Sequence, residues 1–299
     1  MTGWSSTVKL AGCDPNWNEK LAKIVDEINW SDEIQPVVNK LRNGERLDLN
    51  DGILLYNHLD IFEVGLLATC SKKSRFGNHV FFNSNVHINQ TNVCVLSCKF
   101  CAFSRTKRSK DAYSLSIEQY IDELEKYSSV VDEVHSVGGL HPDWDVDFYC
   151  TLFSTVKDRF PHISIKALTA VEIKHLSKVS KITIEEVFDK LIDSGLDSLP
   201  GGGAEILNDE IRHKICYGKE TSSEYIEIHR AAHKSGIPSN CTMLFGTIET
   251  LEDRLEHMFQ IRSLADETSM IQCFVPYPFL PDSTRLPEAQ LATSNEILR

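Results

Sequence analysis

The chain has 299 residues, 41% hydrophobic and 25% charged, enough for one large domain or two small ones; no apolar run nears the ~20 residues that span a bilayer, and the N-terminal MTGWSSTVKLAGCDPNWNEK has neither the apolar core nor the cleavage pattern of a secretory signal. Its net charge of −12 disfavours non-specific nucleic-acid binding, which needs a basic surface, and the one basic run, RTKRSK at 105–110, reads as a solvated loop. Nine cysteines, an odd number, argue against a disulfide framework and for a reducing cytoplasm, with no nucleic-acid or membrane partner.

Residues 1–79 read as a helical region. NWNEKLAKIVDEIN carries apolar residues at helical spacing, LDLNDGILLYNHL opens with capping Asp and Asn, and a further helix over 61–70 ends at the polar SKKSRFGN. From Val80 to Arg299 strand-like runs alternate with amphipathic helices. The runs are 80–88, 133–139, 162–168, 196–200, 239–245 and 270–275. Ser116 with Gln119, Thr183 with Glu186, Thr221 with Glu224 and Thr250 with Asp253 have capping-box spacing and mark helix starts between the strands. The closing EAQLATSNEILR reads as one helix. Six βα units in series imply an α/β fold with a parallel sheet and helices outside it. A full eight-unit barrel takes about 250 residues, so the ~220 left fit an incomplete (βα)6-type barrel.

In such a sheet the site lies at the carboxyl ends of the strands. TNVCVLSCKFCAFSR, with Cys94, Cys98 and Cys101 spaced C-x3-C-x2-C, follows the first strand. A structural zinc site closes its tetrahedron with four ligands; no fourth Cys lies nearby, and His87 is the remaining candidate. A thioredoxin-like pair would leave Cys94 idle. Three thiolates suit a [4Fe–4S] cubane with one iron open to another ligand, and S-adenosylmethionine (SAM) can fill it through its amino and carboxylate groups. The other six cysteines, Cys13, Cys70, Cys150, Cys216, Cys241 and Cys273, read as small buried apolar side chains.

The loop resembles that of the radical SAM superfamily, C-x3-C-x-aromatic-C, with Phe100 as the aromatic. That resemblance implies one [4Fe–4S] cluster on Cys94, Cys98 and Cys101, with SAM beside it against Phe100, Gly138 and Gly139. Glu172 and Glu205, at the third and fourth strand ends, either bind ribose hydroxyls or substrate, or cap helices.

Within the superfamily, NVHINQTNVCVLSCKFCAFSR, GGLHPDWDVDFY, IKALTAVEI, LIDSGLDSLPGGGAEIL, IRHKICYGK and IHRAAHKSGIPSNCTMLFGTIET resemble the aminofutalosine (aminodeoxyfutalosine) synthases of menaquinone biosynthesis. HPDW and ALTAVEI favour them over two sibling families, the dehypoxanthine futalosine cyclases and the deazaflavin-cofactor synthases. The resemblance implies a cytoplasmic transferase that consumes SAM by adding its 5′-deoxyadenosyl radical to an enolpyruvyl ether of 3-hydroxybenzoate, an aromatic dicarboxylate. It implies an electron donor such as flavodoxin or ferredoxin. His141, as a catalytic and substrate-binding residue, and Arg105 and Lys166, as substrate-binding residues, are the basic candidates for the two carboxylates. The similarity runs from about Arg46 to Leu286. The family extends beyond Arg299, so the last βα unit and the C-terminal helices are expected to lie outside this chain.

Overall fold

The computed structural model describes residues 13–289 and 291–299. Four helices come first: α1 (Trp17–Asp26), α2 (Gln35–Arg42), α3 (Leu49–Asn57) and α4 (Ile61–Phe76). Asp48 caps α3 by accepting the Asn50 and Asp51 N–H groups, and Asp60 caps α4 in the same manner. The polar SKKS does not break α4. Ser74 is buried, its hydroxyl donating to the Ser71 carbonyl at 2.9 Å, and the helix ends at Gly77, whose φ of 58° takes the chain out of it. Leu21, Val25, Ile34, Val37, Val38 and Leu67 close a small core among these helices.

The second part is a parallel sheet wrapped by helices. In chain order come β1 (Asn85–His87), α5 (Ile117–Glu125), β2 (Glu133–Ser136), α6 (Val146–Arg159), β3 (Ser164–Ala167), α7 (Ala170–Ser180), α8 (Ile184–Asp193), α9 (Asp209–Ile215), α10 (Ser222–Lys234), β4 (Ser239–Phe245), α11 (Leu251–Thr268), β5 (Ile271–Pro278) and α12 (Ser294–Leu298). β1, β2 and β3 pair in that order, and β4 pairs with β5, all parallel. Single bridges from Lys166 to Ser198 and from Leu199 to Ser239 join the two groups. Six parallel segments therefore follow one another across the sheet in chain order, as an incomplete barrel requires.

All four anticipated capping boxes form. Five expected elements are shorter, the second and third strands closing at Glu133–Ser136 and Ser164–Ala167. The first strand covers only 85–87, because Val80, Phe81 and Phe82 stand exposed before it. The fourth is reduced to the Ser198 and Leu199 bridges. The last helix starts only at Ser294, where Thr293 and Glu296 form its capping box. Val134 and Ile165 pair in register and belong to one core with α5, α6, α7, α8 and α10. Residues alternate across a strand, so His87, His135 and Lys166, also in register, face away from those helices.

His257 on α11 is fully buried. Its Nδ1 accepts the Leu207 N–H at 3.0 Å, and its Nε2 donates to the Thr242 carbonyl at 3.0 Å. Burial lowers its pKa from 6.5 to about 4. Between those values the unfolded chain binds a proton that the folded one refuses. Stability from this site is present above pH ~6.5 and is lost as pH falls towards 4. His257→Gln is expected to flatten the fall of unfolding free energy between pH 6 and 5 by up to roughly 1.4 kcal/mol per pH unit. Denaturant titrations at the two pH values read this, and identical slopes would contradict it.

Candidate active site

Cys94, Cys98 and Cys101 line one cavity of about 270 Å³ at the strand ends. The loop that carries them has little regular structure, so its backbone groups need partners elsewhere. The Cys94 N–H donates to the Arg105 carbonyl (2.9 Å), the Val95 N–H to Leu140 (3.0 Å) and the Lys99 N–H to Ile215 (2.7 Å). Two guanidinium groups take up carbonyls. Arg105 donates to Ala102, Ser104 and Phe103 at 2.8, 3.0 and 3.3 Å, and Arg285 donates to Ser97 and Cys98 at 2.8 and 3.2 Å. The loop is thus gripped behind its third cysteine by a neighbour and near its second by a residue far along the chain.

The second strand end forms one wall. The Gly139 N–H donates to Thr91 at 2.8 Å, and a Cβ at Gly139 would lie 2.2 Å from the Val93 carbonyl oxygen, next to Cys94. This glycine permits the strand end to touch the loop backbone. Glu172, at the third strand end, accepts from Thr169 N–H and Oγ1 (both 2.7 Å), Gly138 N–H (3.0 Å) and Gln90 (3.3 Å). It caps α7 and ties Gly138 to it while lining the cavity. Burial raises its pKa against those four hydrogen bonds.

The fourth strand end supplies Glu205, in the left-handed region at φ 47°, which is ion-paired with Lys219. Buried Arg212 holds this turn through the Gly203 and Ala204 carbonyls. Lys219 Nζ lies 5.6 Å from the Phe100 ring centroid and is the only cation among the lining residues. Burial opposes its charge, but Glu205 and then Glu220 outweigh burial and hold its pKa above the ordinary value. Sequence reasoning missed Lys219 and Arg285, although Lys219 stands inside the singled-out IRHKICYGK.

Three expected substrate residues are not brought into the cavity. His141 stacks on Trp144 with ring centroids 4.3 Å apart, and its Nδ1 accepts the Asp143 N–H at 3.2 Å. It closes its own turn, which is the bland role for a histidine before a proline. Burial, with Lys107 and His175 adding to it, lowers its pKa to about 4. Arg105 pairs with Asp111 at 2.6 Å besides gripping the loop. Lys166 forms a buried ion pair with Glu133 at 3.2 Å inside the sheet. Phe100, Gly138, Gly139, Glu172 and Glu205 do line the cavity. Of the isolated cysteines, Cys13 and Cys273 are exposed rather than buried.

The donor set fits an iron–sulfur cluster. Burial pushes the Cys98 thiol up to about 12 and raises Cys94 as well, so these thiols become donors when a metal centre displaces their protons. Among the described residues no three His, Cys, Asp or Glu side chains converge to hold a single metal ion. A cubane takes each thiolate on a different iron and needs no such convergence. His87, the imagined fourth zinc ligand, lines a different pocket with Tyr113 and Gln119.

Residues 88–261 match the family model described as the Radical SAM superfamily. The chain belongs to this superfamily, and is therefore an enzyme of the kind that uses SAM with a [4Fe–4S] cluster. The aminodeoxyfutalosine synthase of Thermus thermophilus is 38% identical over 252 residues, covering 84% of this chain and 68% of that protein. A 5-amino-6-(D-ribitylamino)uracil–L-tyrosine 4-hydroxyphenyl transferase of Methanosarcina barkeri is 40% identical over 232 residues, covering 77% of this chain and 60% of that protein. The crystal structure of methylornithine synthase shares the fold, with a TM-score of 0.69 at 18% identity over 87% of this chain and 74% of its own. No helix among the described residues is long and apolar enough to cross a membrane.

Proposed function

We propose that the enzyme transfers the 5′-deoxyadenosyl group of SAM to the vinyl carbon of the enolpyruvyl ether of 3-hydroxybenzoate. The product is aminodeoxyfutalosine, formed with loss of bicarbonate or carbon dioxide, in menaquinone biosynthesis. The observation that carries this reading is the likeness to the Thermus enzyme across most of both chains. Cys94, Cys98 and Cys101 hold the cluster. Bound there and reduced, it supplies the electron that cleaves SAM into methionine and a 5′-deoxyadenosyl radical.

The chain's own residues do the rest. Gly138 and Gly139 hold one wall close to the thiols. Phe100, Phe103 and Leu140 keep water and competing hydrogen donors out. Glu205 offers its carboxylate to ribose hydroxyls. Lys219 takes a carboxylate of the bound reactants, exchanging part of its pairing with Glu205 for it. The loss of one charge-assisted hydrogen bond costs about 1.5–3 kcal/mol. Lys219→Met is therefore expected to lower kcat/KM about tenfold to a hundredfold with cluster content retained, and Lys219→Arg to recover part of it. Wild-type kcat/KM in Lys219→Met would remove the residue from the site.

The likeness to the tyrosine 4-hydroxyphenyl transferase favours a second reading, a deazaflavin-cofactor type of enzyme; a dehypoxanthine futalosine cyclase is the further alternative. In the cyclase the adenosyl radical abstracts hydrogen instead of adding. Anaerobic incubation of reconstituted protein with SAM, reductant and each candidate substrate separates them by product mass. An adduct that retains the adenosyl group is expected. Free 5′-deoxyadenosine in stoichiometric amount would overturn the addition reading.

A further inference from the structure

The inner face of the sheet carries a polar row, whereas the face under the helices is apolar. His87, His135 and Lys166 stand side by side in register on β1, β2 and β3, and the two histidine rings stack with centroids 4.9 Å apart. The row continues across the sheet. Ser198 on the fourth segment bridges to Lys166. On β4, Ser239 meets His229 and His233 of α10, and Cys241 belongs to the core under the helices, so Asn240 between them points inward. Its register partner on β5 is Cys273, which is exposed.

This row holds hydrogen-bonding capacity that the folded chain leaves unused. Among the described residues, Ser198 Oγ and Asn240 Oδ1 are buried and have no hydrogen-bond partner. Such atoms are rare, because each one costs stability. Two of them in one row, on neighbouring segments, point to a polar ligand rather than to packing. Burial, with His87 and then Lys166 adding to it, lowers the His135 pKa to about 4. Its ring is therefore neutral near pH 7 and offers one N–H and one acceptor nitrogen. Lys166, ion-paired with Glu133 at 3.2 Å, brings a cation to the row.

The row lies at a fixed depth below the thiols. Val137, two residues beyond His135 and on the same side of the chain, lines the thiol cavity. Two residues of extended chain rise about 6.6 Å. The substrate of the reaction proposed above, on which this inference rests, spans roughly 7 Å from its vinyl carbon to its ring carboxylate at ordinary bond lengths. A vinyl carbon placed at the cavity therefore sets the ring carboxylate level with the row. We infer that His135, Ser198, Asn240 and Lys166 form the subsite for that ring carboxylate and select aromatic carboxylates over uncharged aryl ethers. The His135 N–H and the Ser198 hydroxyl donate to it, Asn240 turns its amide to present the NH2 group, and Lys166 contributes its charge. No bond is made or broken there.

Cys273 gives the subsite a reporter that does not depend on turnover. Anaerobic reconstituted holoenzyme is treated with N-ethylmaleimide, and modification of Cys273 is followed by peptide mass, with exposed Cys13 as the internal control. Two probes are compared, the enolpyruvyl ether of 3-hydroxybenzoate and the same ether of phenol, which lacks the ring carboxylate. The carboxylated probe is expected to block modification of Cys273 and to leave Cys13 unchanged. The phenol ether should need a concentration about tenfold to a hundredfold higher, as the loss of a charge-assisted hydrogen bond implies. His135→Phe, which keeps the stack and loses the N–H, and Ser198→Ala should each reduce that preference about tenfold. Iron content and SAM affinity should stay at wild-type values. Full modification of Cys273 under millimolar carboxylated probe would overturn the subsite. So would a preference unchanged in both variants, or an equal weakening of both probes, which would mean damage to the sheet. Failure of the proposed reaction shows separately: protection of Cys273 with no adenosyl adduct on reduction would refute the reaction and leave the subsite standing.

Discussion

Replacing any one of Cys94, Cys98 or Cys101 by alanine is expected to remove most of the bound iron and sulfide and to take SAM cleavage to background. The three thiols line one cavity from a loop pinned at Leu140, Ile215 and Arg105, and Cys216, which packs with Cys98, is not among the lining residues. Each supplies a bond that methyl cannot, and two ligands leave a second iron without protein support. Cys241→Ala is the control. That cysteine is fully buried in the core beneath the sheet. Its loss should cost about 1 kcal/mol or more of stability with iron content unchanged. Iron and sulfide analysis after anaerobic reconstitution reads both. A full complement in Cys98→Ala would exclude it as a ligand.

Gly139→Val is expected to abolish cluster retention together with SAM binding. From sequence the glycine serves only the methionyl group of SAM, and a side chain there would crowd SAM with the cluster intact. The structure adds a second cause, a clash with the cysteine loop. The added Cβ would lie 2.2 Å from the Val93 carbonyl oxygen and 2.6 Å from its carbon, and backbone at that distance cannot turn aside as a flexible side chain can. Either the second strand end or the cysteine loop must move. Overpacking of this kind typically costs about 1–3 kcal/mol, and backbone displacement adds to it. Gly138→Ala should be milder, since the nearest atoms to its Cβ belong to the Gln90 side-chain amide at 2.8 and 2.9 Å. Iron content and thermal midpoint are the readouts. A Gly139→Val protein with wild-type values of both would return the residue to SAM contact alone.

What was legible in the sequence was local. The cysteine spacing, the aromatic Phe100 and the capping boxes each lie within a few residues; the capping boxes formed as written, and the cysteines and Phe100 line one cavity. The strands were read from strand-like runs, but the fourth contributes only two bridging residues, because pairing depends on neighbours that no short window contains. The basic substrate candidates lie outside the cavity lining for a related reason. Residue type and a strand-end position do not say which way a side chain points. Lys166 lies within β3 and in register with His135, so it meets Glu133 inside the sheet. His141 is turned onto Trp144 three residues on. Conversely, Arg285 reaches Cys98 across a separation of 187 residues, and Lys219 meets Glu205 only because Arg212 folds the turn between them. Contacts of that span leave no periodicity to read.

The central claim is that this cavity holds a three-thiolate [4Fe–4S] cluster whose open iron takes SAM. Electron paramagnetic resonance of the reconstituted, reduced protein during titration with SAM tests it most directly. The account predicts one cluster per chain, a reduced-cluster signal that changes as SAM is added and saturates, and loss of that signal in each cysteine variant. One tightly bound zinc per chain, or a cluster signal indifferent to SAM, would contradict it.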